Sequence, residues 1–250
     1  MRLTRIFLDE PLAPDALLPL PAGATQHVAH VLRATAGDPL ILFNGQGGEY
    51  AASIQSLRRH EVLVRIGAHR AIERESPLAT TLLQGIARGE KMDQILQKAT
   101  ELGVTRVYPV LAARGNVRLD EAAARRKHEH WQGVAINACE QCGRNRVPQV
   151  APPMSLAAAL DAVQAGLKLV LEPDGAAPLC SLLDANSVLH PVALLAGPEG
   201  GLTQDELAAA RQAGFVSCRL GPRVLRTETA APAALAALQF AVGDFGDDAE

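Results

Sequence analysis

"LLAGPEGGLTQDE", Leu194 to Glu206, holds the transition that sets the architecture. An apolar strand-like run ends at Ala196, Gly197-Pro198-Glu199-Gly200-Gly201 makes a loop, and Thr203 with Glu206 has the S/T-x-x-E spacing of a capping box that opens a helix. A strand that feeds a helix through such a loop exposes backbone N–H groups at the carboxyl edge of a parallel sheet, where ligands of open α/β folds bind. No Gly-Lys-Ser/Thr follows, so the loop is not a P-loop, and the G-x-G-x-x-G order of a dinucleotide fingerprint is absent. A plain turn accounts for two glycines better than for three flanking a Pro-Glu pair.

The neighbouring sequence repeats the rhythm. Toward the C-terminus come a helix from Thr203, the strand "FVSCRL" (Phe215–Leu220), the loop "LGPRVLRTETA" (Leu220–Ala230) and a last helix through Phe240. Toward the N-terminus lie "LKLVLEP" (Leu167–Pro173) and a long helix from Glu121 to Cys142. Before them stand the strand "VTRVYPVL" (Val104–Leu111), the helix "EKMDQILQKATELG" (Glu90–Gly103) and the strand "TTLLQGIA" (Thr80–Ala87). In that helix Met92, Ile95, Leu96, Ala99 and Leu102 form one apolar stripe and Gly103 is the stop. Strands alternating with helices predict an α/β domain with a mostly parallel sheet.

Before Pro77 the period is different. "LILF" (Leu40–Phe43), the turn "NGQGG", "EYAASI" (Glu49–Ile54) and "EVLVRI" (Glu61–Ile66) alternate as β-strands of a small barrel or sheet. Ala24 to Ala34 reads as a short helix with Val28, Val31 and Leu32 on its apolar face and His27, His30 and Arg33 left available. The charged "HRAIERESP" (His69–Pro77) marks the boundary, giving domains at 1–72 and 73–250.

With 250 residues, 48% hydrophobic and 20% charged, the composition is that of a soluble globular protein, and no apolar run reaches the length a membrane span needs. The start "MRLTRIFLDEPL" has no secretory h-region, so a cytoplasmic protein without a membrane partner is expected. Cys139 and Cys142 form a lone C-x-x-C, and Cys180 and Cys218 stand far off, which lacks the ligand spacing of a zinc site. No metal is expected, and the four read as reduced, partly buried thiols. The net charge of −3 hides a segregation: residues 76–150 sum to +4 and residues 151–250 to −7. "RGNVR", "ARRKHEH" and "GRNR" supply most of the positive charge, as a phosphate-facing patch or merely a solvated face, which charge alone does not decide.

Two further stretches carry groups suited to chemistry. In "LGPRVLRTETA", Gly221 permits positive φ or a close backbone approach, Pro222 stiffens the turn, and Arg226, Thr227, Glu228 and Thr229 precede the helix, with Thr229 or Thr227 as N-cap. In "NACEQCGRNR" (Asn137–Arg146), Glu140 and Arg144 lie one turn apart if the helix continues, and Gly143 ends it and frees Arg144 and Arg146 for a ligand. A surface ion pair worth only about 0.3–0.5 kcal/mol explains the same spacing.

Taken with these stretches, "TRIFL", "HVAHVLR", "LFNGQGGEY", "QGIARGEKMDQILQKATELGV", "EQCGR", "GPEGG" and "LGPRVLRTETA", in this order over nearly the whole chain, resemble the RsmE-like family of small-subunit (16S) ribosomal RNA uridine-N3 methyltransferases. That family lies in the knotted SPOUT superfamily. Cys142 departs from its pattern, which usually has a small hydroxyl residue there. The resemblance implies a PUA-like barrel for RNA docking and a SPOUT domain whose last segments thread a trefoil knot. It implies S-adenosylmethionine held by Leu171 and Glu172, by Ala196, Gly197, Glu199, Gly200 and Gly201, and by Leu220, Gly221, Leu225, Thr227 and Thr229. It further implies a homodimer with each active site at the interface, and ribosomal RNA, within an assembled subunit, as substrate.

Uracil N3 is a poor nucleophile until its imide proton leaves, so the reaction needs a base or cations that stabilise charge on the uracil oxygens. Arg226 is the first candidate for that cation and Arg144 the second; Glu140 is expected to take the proton or hold an Arg, and Arg5 to reach the same cleft. Arg5, His27, Arg33, Arg118, Arg125, Arg126 and Lys127 are the candidate RNA contacts. A ribose 2′-O-methyltransferase of the same superfamily and a non-catalytic RNA-binding protein are the alternatives.

Overall fold

Val62, Val64 and Ile66 are fully buried and Ile54 is 2% exposed, while Glu61, Leu63 and Arg65 alternate with the first three as less buried positions, as the period of two requires. In the computed structural model, which describes residues 3–31, 34–58, 61–115, 117–174, 177–183 and 191–246, the four buried side chains fill the core of the first of two units. Its sheet has the order β1-β3-β4-β5-β2, formed by β1 (Thr4–Phe7), β2 (Leu17–Pro19), β3 (Pro39–Phe43), β4 (Glu49–Arg58) and β5 (Glu61–Arg70). β1 runs parallel to β3 and every other pairing is antiparallel.

Between β2 and β3 the chain forms α1 (Ala22–Gln26) and then a π-helical turn over His27–Val31, where the sequence predicts one helix from Ala24 to Ala34. The wider turn still sends Val28 into the core at 1% exposure and leaves His27 exposed. Leu32 and Arg33 fall outside the described residues. The unit comprises Met1–Glu75 together with Cys139–Val147, so a segment from the middle of the chain is part of it.

The second unit is built on a parallel sheet of order β11-β13-β10-β12-β6-β7-β8. Its elements in sequence are β6 (Thr80–Gly85), α2 (Lys91–Glu101), β7 (Arg106–Leu111), α3 (Glu121–Cys142), β8 (Gln149–Val150) and β9 (Met154–Ser155), which pairs with β7. Then come α4 (Leu156–Ala162), β10 (Leu167–Leu171), β11 (Ala177–Pro178), β12 (Val192–Ala196), α5 (Gln204–Gln212), β13 (Val216–Arg219) and α6 (Thr227–Val242). The strands read as continuous apolar runs because both faces are covered. Leu82, Leu169 and Leu194 pack with Ile95, Leu96, Trp131 and Leu235 of α2, α3 and α6 on one face. Leu83, Val170 and Leu195 pack with Ala159, Leu160, Leu207 and Ala210 of α4 and α5 on the other. β10 lies between β12 and β13, so the loops after three adjacent strands gather at one edge. Among the described residues no helix is long and apolar enough to cross a membrane.

Candidate functional site

That edge holds a cavity of about 610 Å³ walled entirely by the second unit. Each wall is a loop at a carboxyl end: Leu171–Asp174 after β10, Ala196–Leu202 after β12, and Leu220 with Arg223–Thr227 after β13. Lys91 of α2 and Arg114, beyond β7, complete it. A parallel sheet brings this about by itself, since all its strands end on the same side. The structure thus brings Leu171, Glu172, Ala196, Gly197, Glu199, Gly200, Gly201, Leu220, Leu225 and Thr227 round one cavity. Gly221 and Thr229 lie in the same loop and first helical turn but outside the wall.

The glycines of the site have separate physical reasons. A Cβ on Gly85, at the end of β6, would stand 2.5 Å from Cδ and 2.6 Å from N of Pro198, so the Gly197–Gly201 loop rests directly on that strand. A Cβ on Gly197 would approach the Gly201 backbone to 3.1 Å, and one on Gly200 would stand 2.9 Å from Arg114 Cβ. Gly201 has φ +68° with open space around it, so only its backbone conformation excludes a side chain. Gly201→Val is therefore expected to weaken S-adenosylmethionine binding at least about tenfold by straining the loop, read by calorimetry; unchanged affinity would remove the loop from the site.

Thr203 and Glu206 form the capping box that starts α5. At α6 the expected cap is corrected. Arg226, with extended backbone at φ −66° and ψ 154°, holds the N-cap position without a side-chain cap. The Thr227 hydroxyl instead donates to Gly197 O at 2.8 Å and accepts from Gln84 Nε2 at 3.2 Å, tying the start of α6 to the glycine loop. The Arg226 side chain is 82% exposed at the cavity, 3.9 Å from Glu228. Glu172 is held by Arg211 at 2.9 Å.

Glu140, Arg144 and Arg5 belong to the first unit, where each has an intramolecular partner. α3 does run to Cys142, but Gly143 at φ +95° turns the chain off the helical path, so Glu140 and Arg144 never meet as a one-turn pair. Arg144, 4% exposed, donates through Nε and Nη2 to the carboxylate of Glu75. Glu140 accepts the Phe7 N–H at 2.9 Å. Arg5, 7% exposed, pairs with Glu49 and Asn145 and lies 4.8 Å over the Phe43 ring. Arg74 reaches both Glu49 and Gly143 O, and Arg146 pairs with Glu73. These bonds fasten Cys139–Val147 onto β1 and onto the segment that follows β5. Glu140, Arg144 and Arg5 thus all take part in one polar clasp within the first unit.

Burial pushes the Glu140 carboxyl above its ordinary value, against the Phe7 N–H, His27 and Arg5. A raised carboxyl favours the folded state below its titration and loses that contribution as the pH climbs through it. Glu140→Gln keeps an acceptor for Phe7, so it is expected to raise the melting midpoint at pH 7. The gain should fade as the pH falls toward 4.5, the ordinary carboxyl value. A lower midpoint at pH 7 would contradict it.

Among the RNA candidates, His27, Arg118, Arg125 and Arg126 are exposed and Lys127 lies 5.3 Å over the Trp131 ring. Arg33 lies outside the described residues. Cys139 is buried, its thiol pushed up by the Cys142 hydrogen bond and by burial, and burial raises Cys218 to about 11. No group of metal-binding side chains occurs among the described residues. Lys91, Arg114, Asp174 and Arg223 line the cavity without having been singled out in the sequence; the signal for Lys91 was its place just beyond the carboxyl end of β6.

Residues 74–239 match the family described as RNA methyltransferase domain, and residues 20–67 match the RNA methyltransferase PUA domain. Ribosomal RNA small subunit methyltransferase E of Buchnera aphidicola subsp. Schizaphis graminum is 32% identical, over 97% of this chain and 98% of that protein. The Bacillus subtilis protein of the same name is 34% identical over 86% of each. Among solved structures, a putative methyltransferase from Legionella pneumophila in complex with S-adenosylmethionine has a TM-score of 0.94 at 40% identity, covering 98% of this chain and all of that one. Ribosomal RNA small subunit methyltransferase E from Neisseria gonorrhoeae, bound to S-adenosylmethionine, has a TM-score of 0.88 at 38% identity with the same coverage.

Proposed function

The chain belongs to the ribosomal RNA small subunit methyltransferase E family, and from that premise we propose that it methylates N3 of a uridine in small-subunit ribosomal RNA with S-adenosylmethionine as donor. The observation that carries the reading is the cavity at the carboxyl ends of β10, β12 and β13 with the Arg226 guanidinium exposed at it. Its volume, about 610 Å³, suits a nucleoside-sized ligand. The donor set suits one too: Leu171, Ala196, Leu220 and Leu225 offer apolar wall, and the Gly197–Gly201 loop allows close backbone approach. Bound there, S-adenosylmethionine supplies an electrophilic methyl group.

The chain's own contribution is to hold and to stabilise. The loops exclude water and fix the angle of approach, which can be worth about 7–11 kcal/mol when two partners are oriented. Arg226, permanently charged, holds the negative charge that spreads over the uracil oxygens once the imide proton has gone. Arg118, Arg125 and Arg126, exposed on the second unit, contact phosphates without reading sequence, and His27 offers a further contact from the first. The target base leaves its stack to reach the cavity.

A trefoil knot is supported by β10 lying between β12 and β13 and by the Gln84–Thr227–Gly197 tie. A homodimer is supported by Val224, Phe240 and Phe245, exposed at 79%, 73% and 53%. A cytoplasmic location goes with an assembled subunit as substrate and is part of the same proposal. The test is methylation of small-subunit particles and of naked ribosomal RNA by purified protein, followed by nucleoside mass analysis. 3-Methyluridine formed on the particle is expected; 2′-O-methyluridine, or no transfer with either substrate, would overturn the reading.

A further inference from the structure

The stretch from Gln84 to Lys91, which leads from β6 into α2, touches two of the three loops of the cavity, those after β12 and β13. At the base, Gln84 is fully buried and its Nε2 reaches Thr227 Oγ1 at 3.2 Å and Gly197 O at 3.4 Å. At the rim, Lys91 Nζ lies 3.6 Å from Glu199 Oε1 in the glycine loop and 3.3 Å from Glu228 Oε2 in the first turn of α6. Glu199 Oε1 also accepts the Arg88 N–H at 3.1 Å. One ammonium therefore spans two carboxylates that belong to different loops.

The position of Glu228 gives this arrangement its consequence. Its Oε2 is buried and makes no hydrogen bond, so the charge of Lys91 compensates it. Its Oε1 lies 3.9 Å from Arg226 Nη1, at the edge of ion-pair range. Without Lys91 the carboxylate would have the Arg226 guanidinium as its nearest replacement cation.

We infer that Lys91 is a positioning residue: by holding Glu199 and Glu228 together it keeps the two loops in register and leaves the Arg226 guanidinium free for the reacting base. This rests on the proposed methyl transfer, and it assigns Lys91 no contact with the reactants. Removing the ammonium lets Arg226 collapse onto Glu228; removing the Glu228 charge as well removes the cause of the collapse.

The test uses the full chain, with methylation of small-subunit particles at saturating S-adenosylmethionine and calorimetry of the same cofactor. Lys91→Met is expected to lower the transfer rate about five- to tenfold, the size of a lost partly exposed ion pair and its knock-on at Arg226. Lys91→Arg should stay within about threefold of wild type, because a guanidinium can pair with both carboxylates. The double variant Lys91→Met/Glu228→Gln should recover most of the lost rate, which a loss of folding would not permit. A Lys91→Met enzyme with the wild-type rate, or a double variant slower than Lys91→Met alone, would overturn the inference. Wild-type protein that neither binds the cofactor nor methylates would instead strike the functional reading itself.

Discussion

Arg226→Ala is expected to reduce methylation of small-subunit particles about 10²–10³-fold while S-adenosylmethionine affinity stays within about threefold, because one preorganised cation facing developing charge is worth that much. The split follows from the geometry. The Arg226 side chain is 82% exposed at the N-cap of α6, and the fastening of that helix to the glycine loop runs through Thr227 and Gln84, so removing the guanidinium leaves the loops in place. Single-turnover rates on particles, with calorimetry of the cofactor alongside, measure both halves. Retention of full transfer would move the charge-stabilising role to another residue, and a large loss of cofactor affinity would make Arg226 a loop-holding group.

Arg144→Ala is expected to act on stability rather than on chemistry. Arg144 is 4% exposed and binds Glu75 through two of its nitrogens, so its removal strands a largely buried carboxylate, which typically costs about 3–5 kcal/mol. For a chain of this length that is a fall of about 10 °C in the melting midpoint. Well below that midpoint the folded variant should methylate within a few-fold of wild type. A variant that melts like wild type but does not methylate would put Arg144 in the catalytic set.

These two arginines show how far the sequence was readable. Both stand beside a glycine-punctuated turn and within four residues of a Glu, and local spacing gives each a nearby carboxylate. For Arg226 the nearby carboxylate is indeed a neighbour in space: Glu228 lies 3.9 Å away, and the guanidinium is exposed at the cavity. For Arg144 it misleads, because Gly143 at φ +95° breaks the helical phase on which the pairing with Glu140 depended. Glu75, the partner Arg144 takes, lies 69 positions away in the chain, and no local pattern records such a pair. The N-cap of α6 failed for a related reason: Thr227 had the right chemistry for a cap, but a carbonyl at Gly197, 30 residues back, claimed its hydroxyl.

The sequence by itself determined the change from period-two strands to strand–helix alternation near Pro77, the covered apolar strands, the capping box at Thr203 and the glycine loop between Ala196 and Leu202. All of these follow from interactions within a few residues, where side-chain period and backbone permissiveness act directly. The tertiary structure alone decided that β10 inserts between β12 and β13, that Cys139–Val147 joins the N-terminal unit, and that Lys91 meets Glu199 and Glu228. Those outcomes depend on which distant surfaces exclude water together and which buried charges find partners. Burial and charge compensation act on proximity in space, to which order along the chain is blind.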